Sequence, residues 1–234
     1  MESAKIQELM SSLKGFDADI LIEKIRPLYR DTDPAHDFSH VMRVYQNASK
    51  IGQREGADMQ ILLLAALLHD AGSVAKHSEV SEESDARRRA VKDLLSEIDL
   101  SDEAREKVLY AVKVHRFSKG IVPTTLEARI LQDADRLDAM GAIGIARVFM
   151  TGGGLGRMMY HPSDPFCQSR VPDDKAWNLD HFFSKLLKLE SGMHTQTAKA
   201  LARRRAEVLK NYLLDLQTEL EEGTVEDADL EGQR

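Results

Sequence analysis

Apolar residues recur along this chain at intervals of three and four, which is the spacing of one face of an α-helix. A polar residue suited to an N-cap precedes several of these stripes. We find no convincing alternation of apolar and polar residues, the pattern of a half-buried strand. The pattern therefore predicts an all-α protein, a compact helical bundle with no significant sheet.

Caps and breaks divide the pattern into successive helices. In chain order, these are expected from about His40 to Ile51 with Ser39 as the cap, from Asp58 to Gly72, from Ser81 to Ile98, from Ser101 to Val114, from Leu126 to Ala139, from Ile143 to Met150, from Trp177 to Leu189 and from His194 to about Leu220. A Gly- and Pro-rich gap separates Thr151 from Asp174. Its first part, residues 151–166, is either a mobile flap or a plain connector.

The most apolar segment ends in two polar residues. Eight apolar residues, Ile61 to Leu68, run directly into His69 and Asp70. A helix that is apolar all round belongs at the centre of a fold. Burying an unpaired carboxylate there costs several kcal/mol, so a salt bridge, a set of hydrogen bonds or a metal ion must compensate for it.

Two other segments offer metal ligands. His36 and His40 flank a predicted helix start, and His40 is the better candidate because its turn faces the core. Asp133, Asp135 and Asp138 lie within an apolar helix, where Asp133 is a rival to Asp135. Two imidazoles with two carboxylates suit a borderline divalent ion. The candidate set is His40, His69, Asp70 and Asp135. The alternative is that these are buried polar groups satisfied by hydrogen bonds, with Arg136 as the partner of Asp135.

Composition narrows the function classes. Hydrophobic residues make up 42% and charged residues 30%, which is enough for a real core. The net charge of −7 argues against binding nucleic acid, and no apolar stretch is long enough to cross a membrane. A single cysteine and an N-terminus unlike a signal peptide lead us to expect a cytoplasmic protein. We expect one domain over 1–221 and a disordered acidic tail over 222–234.

Three short motifs carry a resemblance to a known family. HVMRV begins at His40, LLHDAG contains His69 and Asp70, and QDADRLD contains Asp135. In this order they resemble the signature of the HD-domain superfamily of metal-dependent phosphohydrolases, over about residues 20–215. The longer run ILQDADRLDAMGAIGIARVF resembles a small, YedJ-like bacterial branch of that superfamily.

The resemblance implies a helical HD-domain bundle and hydrolysis of a phosphate ester or anhydride, usually in a nucleotide. It implies one divalent metal ion, Mn²⁺ favoured among Mn, Mg, Fe, Co, Ni and Zn. The family register selects Asp135 rather than Asp133 as the ligand. The implied ligands are His40, His69, Asp70 and Asp135.

Catalytic roles are expected near these ligands. Asp70 would also orient the attacking water, and the family implies a further acidic catalytic residue, for which Glu83 is our candidate; a solvated helix start is the alternative. His115 is a catalytic candidate because relatives carry a similar stretch. Candidate phosphate-binding residues are Lys76, Arg116, Lys119 and Arg136.

The resulting prediction is an enzyme that hydrolyses a small-molecule nucleotide or phosphate ester. The resemblance favours pyrophosphate release from a nucleoside triphosphate. One alternative is a regulatory module that binds nucleotide and metal without turnover. Another is a binding or scaffold protein that uses the acidic tail.

Overall fold

The computed structural model describes residues 18–29, 37–71, 82–117 and 120–222, and for 18–20 and 82–88 it describes the backbone alone. The isolated bridge between Met158 and Trp177 is the only β pairing in these ranges. The fold is all-α, as predicted. The helices within these ranges are α1 (Ala18–Ile25), α2 (Phe38–Glu55), α3 (Met59–Leu68), α4 (Glu82–Ser96), α5 (Asp102–Val114), α6 (Leu126–Asp138), α7 (Gly141–Gly154), α8 (Asp180–Ser184) and α9 (Gln196–Glu222).

Helix α2 begins earlier than predicted, because its N-cap is Asp37 and not Ser39. Asp37 Oδ1 accepts hydrogen bonds from His40 N at 3.0 Å and from Ser39 Oγ at 2.6 Å. A carboxylate caps a helix at least as well as a hydroxyl does. The helix ends at Gly56, whose φ of 73° is the left-handed conformation that favours glycine. His40 thus lies in a first turn that a side-chain cap holds.

Helix α3 is the centre of its part of the fold, as its composition predicts. Asp58 caps it, and every residue from Ile61 to Leu68 is buried. It packs against α2, α5 and α6. Gly52 of α2 permits a close approach, since a Cβ there would lie 2.4 Å from Leu62 Cδ2. The two polar residues that follow α3 are consequently placed inside the core.

Helices α5 and α6 complete the surroundings of α3. Ser101 caps α5 as predicted, accepting from Ala104 N at 3.1 Å. Thr125 caps α6, which ends at Asp138, one residue before the predicted end. Because α6 packs against α2, α3 and α5, its inward face lies beside the ends of those helices.

The later helices depart from the predicted bounds. Helix α7 continues beyond Met150 to Gly154, although each glycine costs about 1 kcal/mol; of its last three glycines only Gly152 is buried, beside Asn178. The single helix predicted over Trp177–Leu189 is wrong. Only Asp180–Ser184 is α-helical, and two 3₁₀ turns follow, at Leu186–Lys188 and Glu190–Gly192. A 3₁₀ helix has three residues per turn, so apolar residues spaced three or four apart can face the core in it much as they do in an α-helix.

The described chain divides into two compact units. The first comprises the residues up to Ala139 together with Ser191–Ala200, and α3 lies at its core. The second comprises Met140–Glu190 and the residues from Leu201 onward. An aromatic cluster lies in the second unit, with ring centroids 5.6 to 6.3 Å apart; it consists of Phe149, Phe182 and Tyr212. The single domain over 1–221 stays a prediction.

No helix in the described ranges is both long and apolar enough to cross a membrane. The acidic tail predicted over 222–234 lies outside the described residues, apart from Glu222, which is the last residue of α9.

Candidate metal centre

Four separate elements of the first unit bring polar side chains to one place. His40 comes from the first turn of α2, and His69 with Asp70 directly follows α3. His115 follows α5, and Asp135 lies in α6. All are buried except Asp135, whose side chain is 25% exposed. The sequence-predicted ligands therefore converge, with Asp135 at the open edge of the cluster.

The ligand atoms lie at the separations that one shared ion needs. His40 Nε2 and His69 Nε2 are 3.3 Å apart, and Asp135 Oδ1 is 3.5 Å from His40 Nε2. One atom from each of these three residues lies within 4.8 Å of the others. Asp70 Oδ2 adds a fourth candidate, 3.7 Å from His40 Nε2 and 3.5 Å from His69 Nε2.

Hydrogen bonds on the far side of each imidazole determine which nitrogen faces the cluster. His69 Nδ1 donates to Ala66 O at 2.8 Å. His40 Nδ1 donates to Asp138 Oδ2 at 2.7 Å. In the neutral rings both Nε2 atoms then carry lone pairs. Two lone pairs 3.3 Å apart repel each other unless a cation lies between them, so this donor set fits a metal ion.

The protonation states suit the same purpose. Burial lowers the pKa of His69 to about 4, so the ring is neutral at pH 7. Burial acts to raise the pKa of Asp70, but the neighbouring imidazoles of His69, His115 and His40 together outweigh it and hold this pKa well below the ordinary value. A neutral imidazole and an ionised carboxylate are the forms that bind metals.

The other oxygen of Asp70 faces basic groups. His115 Nε2 and Arg116 Nη2 each lie 3.4 Å from Asp70 Oδ1. His115 Nδ1 donates to Val112 O at 2.6 Å, which fixes its ring. The Arg116 side chain is 36% exposed. One carboxylate therefore links the imidazole pair to a cationic edge.

Comparison with known proteins assigns the family. Residues 37–140 match the HD domain model, a range that contains the whole cluster. Protein YpgQ of Bacillus subtilis is 33% identical over 203 residues, which is 84% of this chain and 90% of that protein.

This chain belongs to the HD domain family.

Solved HD-domain structures share the fold over most of the chain. An HD-superfamily hydrolase from Bacillus thuringiensis superposes with a TM-score of 0.65 at 32% identity, covering 94% of this chain and 99% of that one. Bacillus subtilis YpgQ in complex with ADP gives 0.66 at 29% identity, covering 86% and 93%. The HD domain predicted from the sequence is confirmed.

Asp133, the rival ligand, has a different position in this HD domain. Its carboxylate accepts from His194 N at 2.8 Å, from Thr195 N at 2.9 Å and from Thr195 Oγ1 at 2.8 Å. These groups immediately precede α9. These hydrogen bonds indicate that Asp133 stabilises the start of α9.

Arg136 also contacts groups outside the metal cluster. Its guanidinium donates to Gly192 O and to Gln132 Oε1, and it lies 4.8 Å from the centre of the Phe117 ring. It is 3.6 Å from Asp133. These contacts do not support the phosphate role of Arg136, which stays a prediction.

Several predicted residues fall outside the described part of the chain. His36, Lys76 and Lys119 are among them, and of Glu83 only the backbone, in α4, is described. The catalytic role of Glu83 and the phosphate roles of Lys76 and Lys119 stay predictions.

Sequence reasoning assigned no role to three residues around the HD-domain cluster. Tyr29 donates from its hydroxyl to Leu67 O at 2.7 Å, two residues before the polar pair. Asp138 and Arg43 lie behind His40. A signal existed for Asp138, since it lies three residues after Asp135 on the same buried helix face. Nothing local marks Tyr29.

Proposed function

We propose that this HD-domain protein is a divalent-metal-dependent phosphohydrolase that acts on a nucleotide. The observation that carries the proposal is the pair of Nε2 atoms 3.3 Å apart, each on a ring whose Nδ1 is already hydrogen-bonded. Carboxylates of Asp70 and Asp135 flank the pair. The hydrolase class is also that of the Bacillus thuringiensis relative.

The four proposed ligands are His40, His69, Asp70 and Asp135. When bound, a divalent ion supplies positive charge that polarises a phosphoryl oxygen and makes water a better nucleophile near neutral pH. Nitrogen and carboxylate donors are compatible with Mn²⁺, which we favour, and with Mg, Fe, Co, Ni or Zn. The exposed side of Asp135 leaves the substrate a direction of approach.

Asp70 links metal binding to the reacting phosphate. Its Oδ2 faces the imidazole pair, and its Oδ1 faces His115 and Arg116. With hydrogen on both ring nitrogens, His115 would donate to Val112 O and to Asp70 Oδ1. The proton on Nε2 would then lie close to the phosphoryl group that water attacks. The partly exposed Arg116 guanidinium can donate two parallel hydrogen bonds to phosphoryl oxygens. We assign His115 to proton transfer and Arg116 to phosphate binding.

The substrate class is supported by a relative. The Bacillus subtilis YpgQ structure holds ADP, so a nucleoside with a phosphate chain fits an HD domain of this kind. Pyrophosphate release from a nucleoside triphosphate, which the YedJ-like resemblance favours, is our specific expectation for the bond that breaks. The reaction would be attack of water on a phosphoryl phosphorus, with the pyrophosphate oxygen as leaving group.

Turnover by metal-stripped protein tests the proposal. The protein is treated with chelator, dialysed and assayed with Mn²⁺ against nucleoside mono-, di- and triphosphates, with pyrophosphate and orthophosphate measured separately. We expect metal-dependent release from at least one nucleotide. The ratio of pyrophosphate to orthophosphate identifies the bond.

Two variants give the comparison. Asp70→Ala removes the shared carboxylate and should abolish release, whereas Asp99→Ala makes the same substitution on an exposed residue between α4 and α5 and should leave it unchanged. Activity that persists in Asp70→Ala contradicts the assignment. Stoichiometric metal and ADP binding without turnover on any nucleotide would instead favour a regulatory module.

A further inference from the structure

A second carboxylate of α6, Asp138, lies behind the metal centre. It is 1% exposed and lies one turn beyond Asp135 on the same helix. Its Oδ2 is 2.7 Å from His40 Nδ1, the ring nitrogen that points away from the cluster. One helix therefore supplies both a ligand and a contact to the ligand on α2.

The chemistry of this contact restricts the His40 ring. An ionised carboxylate can only accept a hydrogen bond, so the proton must be on His40 Nδ1. The lone pair is then on Nε2, which is 3.3 Å from His69 Nε2. The other tautomer would present an N–H to the cluster and block metal coordination.

Arg43, from the same helix as His40, also holds the carboxylate in place. Its Nε donates to Asp138 Oδ1 at 2.6 Å and its Nη2 to Oδ2 at 3.0 Å. Its Nη1 donates to Ser39 Oγ at 2.9 Å. This two-point contact fixes the plane of the Asp138 carboxylate, and His40 is one turn from Arg43 on α2.

We infer that Asp138 is a positioning residue, which fixes the tautomer and ring direction of His40 for metal binding, with Arg43 orienting the carboxylate. The inference rests on the metal site of the proposed function. It assigns Asp138 no contact with substrate. The comparable outer contacts of metal-binding histidines affect affinity strongly, although they never touch the ion.

The tautomer can be read directly in the native protein. In ¹⁵N-labelled, metal-free protein, long-range proton–nitrogen spectra show which ring nitrogen of each histidine carries hydrogen, and the spectrum of His40→Gln identifies the His40 signals. We expect hydrogen on Nδ1 of His40. Hydrogen on Nε2 in the native protein would overturn the inference, whether or not any variant folds.

Metal affinity provides the second readout. Titration with Co²⁺, followed by its visible absorption, should show about 10- to 100-fold weaker binding for Asp138→Asn, because the amide can donate to Nδ1 and favour the wrong tautomer. Arg43→Gln is the matched control, since it disturbs the same ion pair but leaves the bond to His40. The Co²⁺ affinity of Arg43→Gln should fall less than about fivefold relative to native protein, because a partly exposed ion pair contributes at most about 1 kcal/mol.

The outcomes separate this inference from the proposed function. Native protein that binds no Co²⁺ contradicts the proposed metal site, while the imidazole spectrum still decides the role of Asp138. Native protein that binds Co²⁺, with Asp138→Asn equal to native protein in affinity and tautomer, contradicts the role of Asp138 alone. Thermal unfolding of each metal-free variant verifies that the comparison is between folded proteins.

Discussion

Both oxygens of the Asp70 carboxylate face polar groups. These contacts explain how a carboxylate can follow the most apolar helix into the core. Oδ2 lies beside two imidazoles, and Oδ1 lies beside His115 and Arg116. A buried carboxylate is costly only when it lacks such partners. The apolar helix α3 therefore delivers its polar end to the point where the other helices supply compensating groups.

Tyr29 stabilises this end of α3 from behind. Its hydroxyl donates to Leu67 O, and burial, together with the charge of Asp70, raises its pKa well above the ordinary value. Tyr29→Phe should lower the free energy of unfolding by about 1–2 kcal/mol, because a buried carbonyl loses its donor. Denaturant titration of the metal-free protein measures the change.

A tyrosine outside this contact is the control for that substitution. Tyr160→Phe, on a partly exposed residue of the second unit, should change the stability little. Equal stability of native protein and Tyr29→Phe would show that the hydrogen bond to Leu67 O contributes nothing measurable.

The aspartates of helix α6 point in different directions and contact different groups. Asp135 and Asp138, three residues apart, both reach His40, whereas Asp133 reaches the groups that precede α9. Residues three apart share a helix face, and residues two apart do not. One helix thus serves the metal cluster and a helix start at once.

The same substitution at two positions of α6 tests this division. Asp135→Asn should weaken Mn²⁺ binding and leave the stability of the metal-free protein nearly unchanged. Asp133→Asn should lower stability by about 1–3 kcal/mol, because one amide oxygen cannot replace the acceptors of a carboxylate, and should leave the affinity unchanged. Calorimetric metal titration and denaturant unfolding measure the two effects. The reverse result would make Asp133 the ligand.

The loop before α8 depends on a buried ion pair. Asp180 accepts from Arg170 Nη2 at 2.7 Å and from Asp173 N at 2.6 Å. Burial acts to raise the pKa of Asp180, but the hydrogen bonds from Arg170 and Asp173 N and the charge of Arg170 together outweigh it, and the net pKa is lowered. A carboxylate whose pKa is lowered on folding stabilises the protein above its unfolded pKa of about 3.9, and this contribution is lost as the pH falls through the folded pKa.

Asp180→Asn should therefore reduce stability most at neutral pH. The difference in melting temperature between native protein and variant should be large at pH 7. It should shrink below about pH 4, where the unfolded chain takes up the proton, and vanish below the lower pKa of the folded carboxyl. The fluorescence of Trp177, the single tryptophan of the chain, reports on this loop. A difference that stays constant from pH 7 to pH 3 would contradict the ion-pair explanation.

At the scale of the whole molecule, a metal ion would join three elements of the first unit: the start of α2, the residues after α3, and α6. An ion that binds the folded state alone stabilises it by about 2.7 kcal/mol at a hundredfold excess over its dissociation constant, or about 5–10 °C in melting temperature. Mn²⁺ added to chelator-treated protein should raise the melting temperature by this amount. His40→Ala should show no such rise, and a rise as large as in native protein would remove His40 from the ligand set.

The helical class and the family were accessible from the sequence because they depend on local signals. The period of the apolar stripes fixed the helices around the cluster, and the caps Asp58 and Ser101 were read correctly. The predicted bounds failed at the glycines that end α7, whose low helix propensity indicated a break. They also failed in the short turns after Trp177, whose apolar spacing resembles that of an α-helix.

By itself, the sequence determined which residue types could bind a metal and that they lie at the ends or on the inner faces of helices. The residue pattern left Asp133 and Asp135 as rivals, and the family register selected Asp135. The tertiary structure supplies the physical reason, because the two carboxylates lie two residues apart and point to different neighbours. It also decided that Asp138, Arg43 and Tyr29 support the cluster. Such contacts join residues 38 to 98 positions apart, and no local pattern encodes a distance that arises only when helices pack.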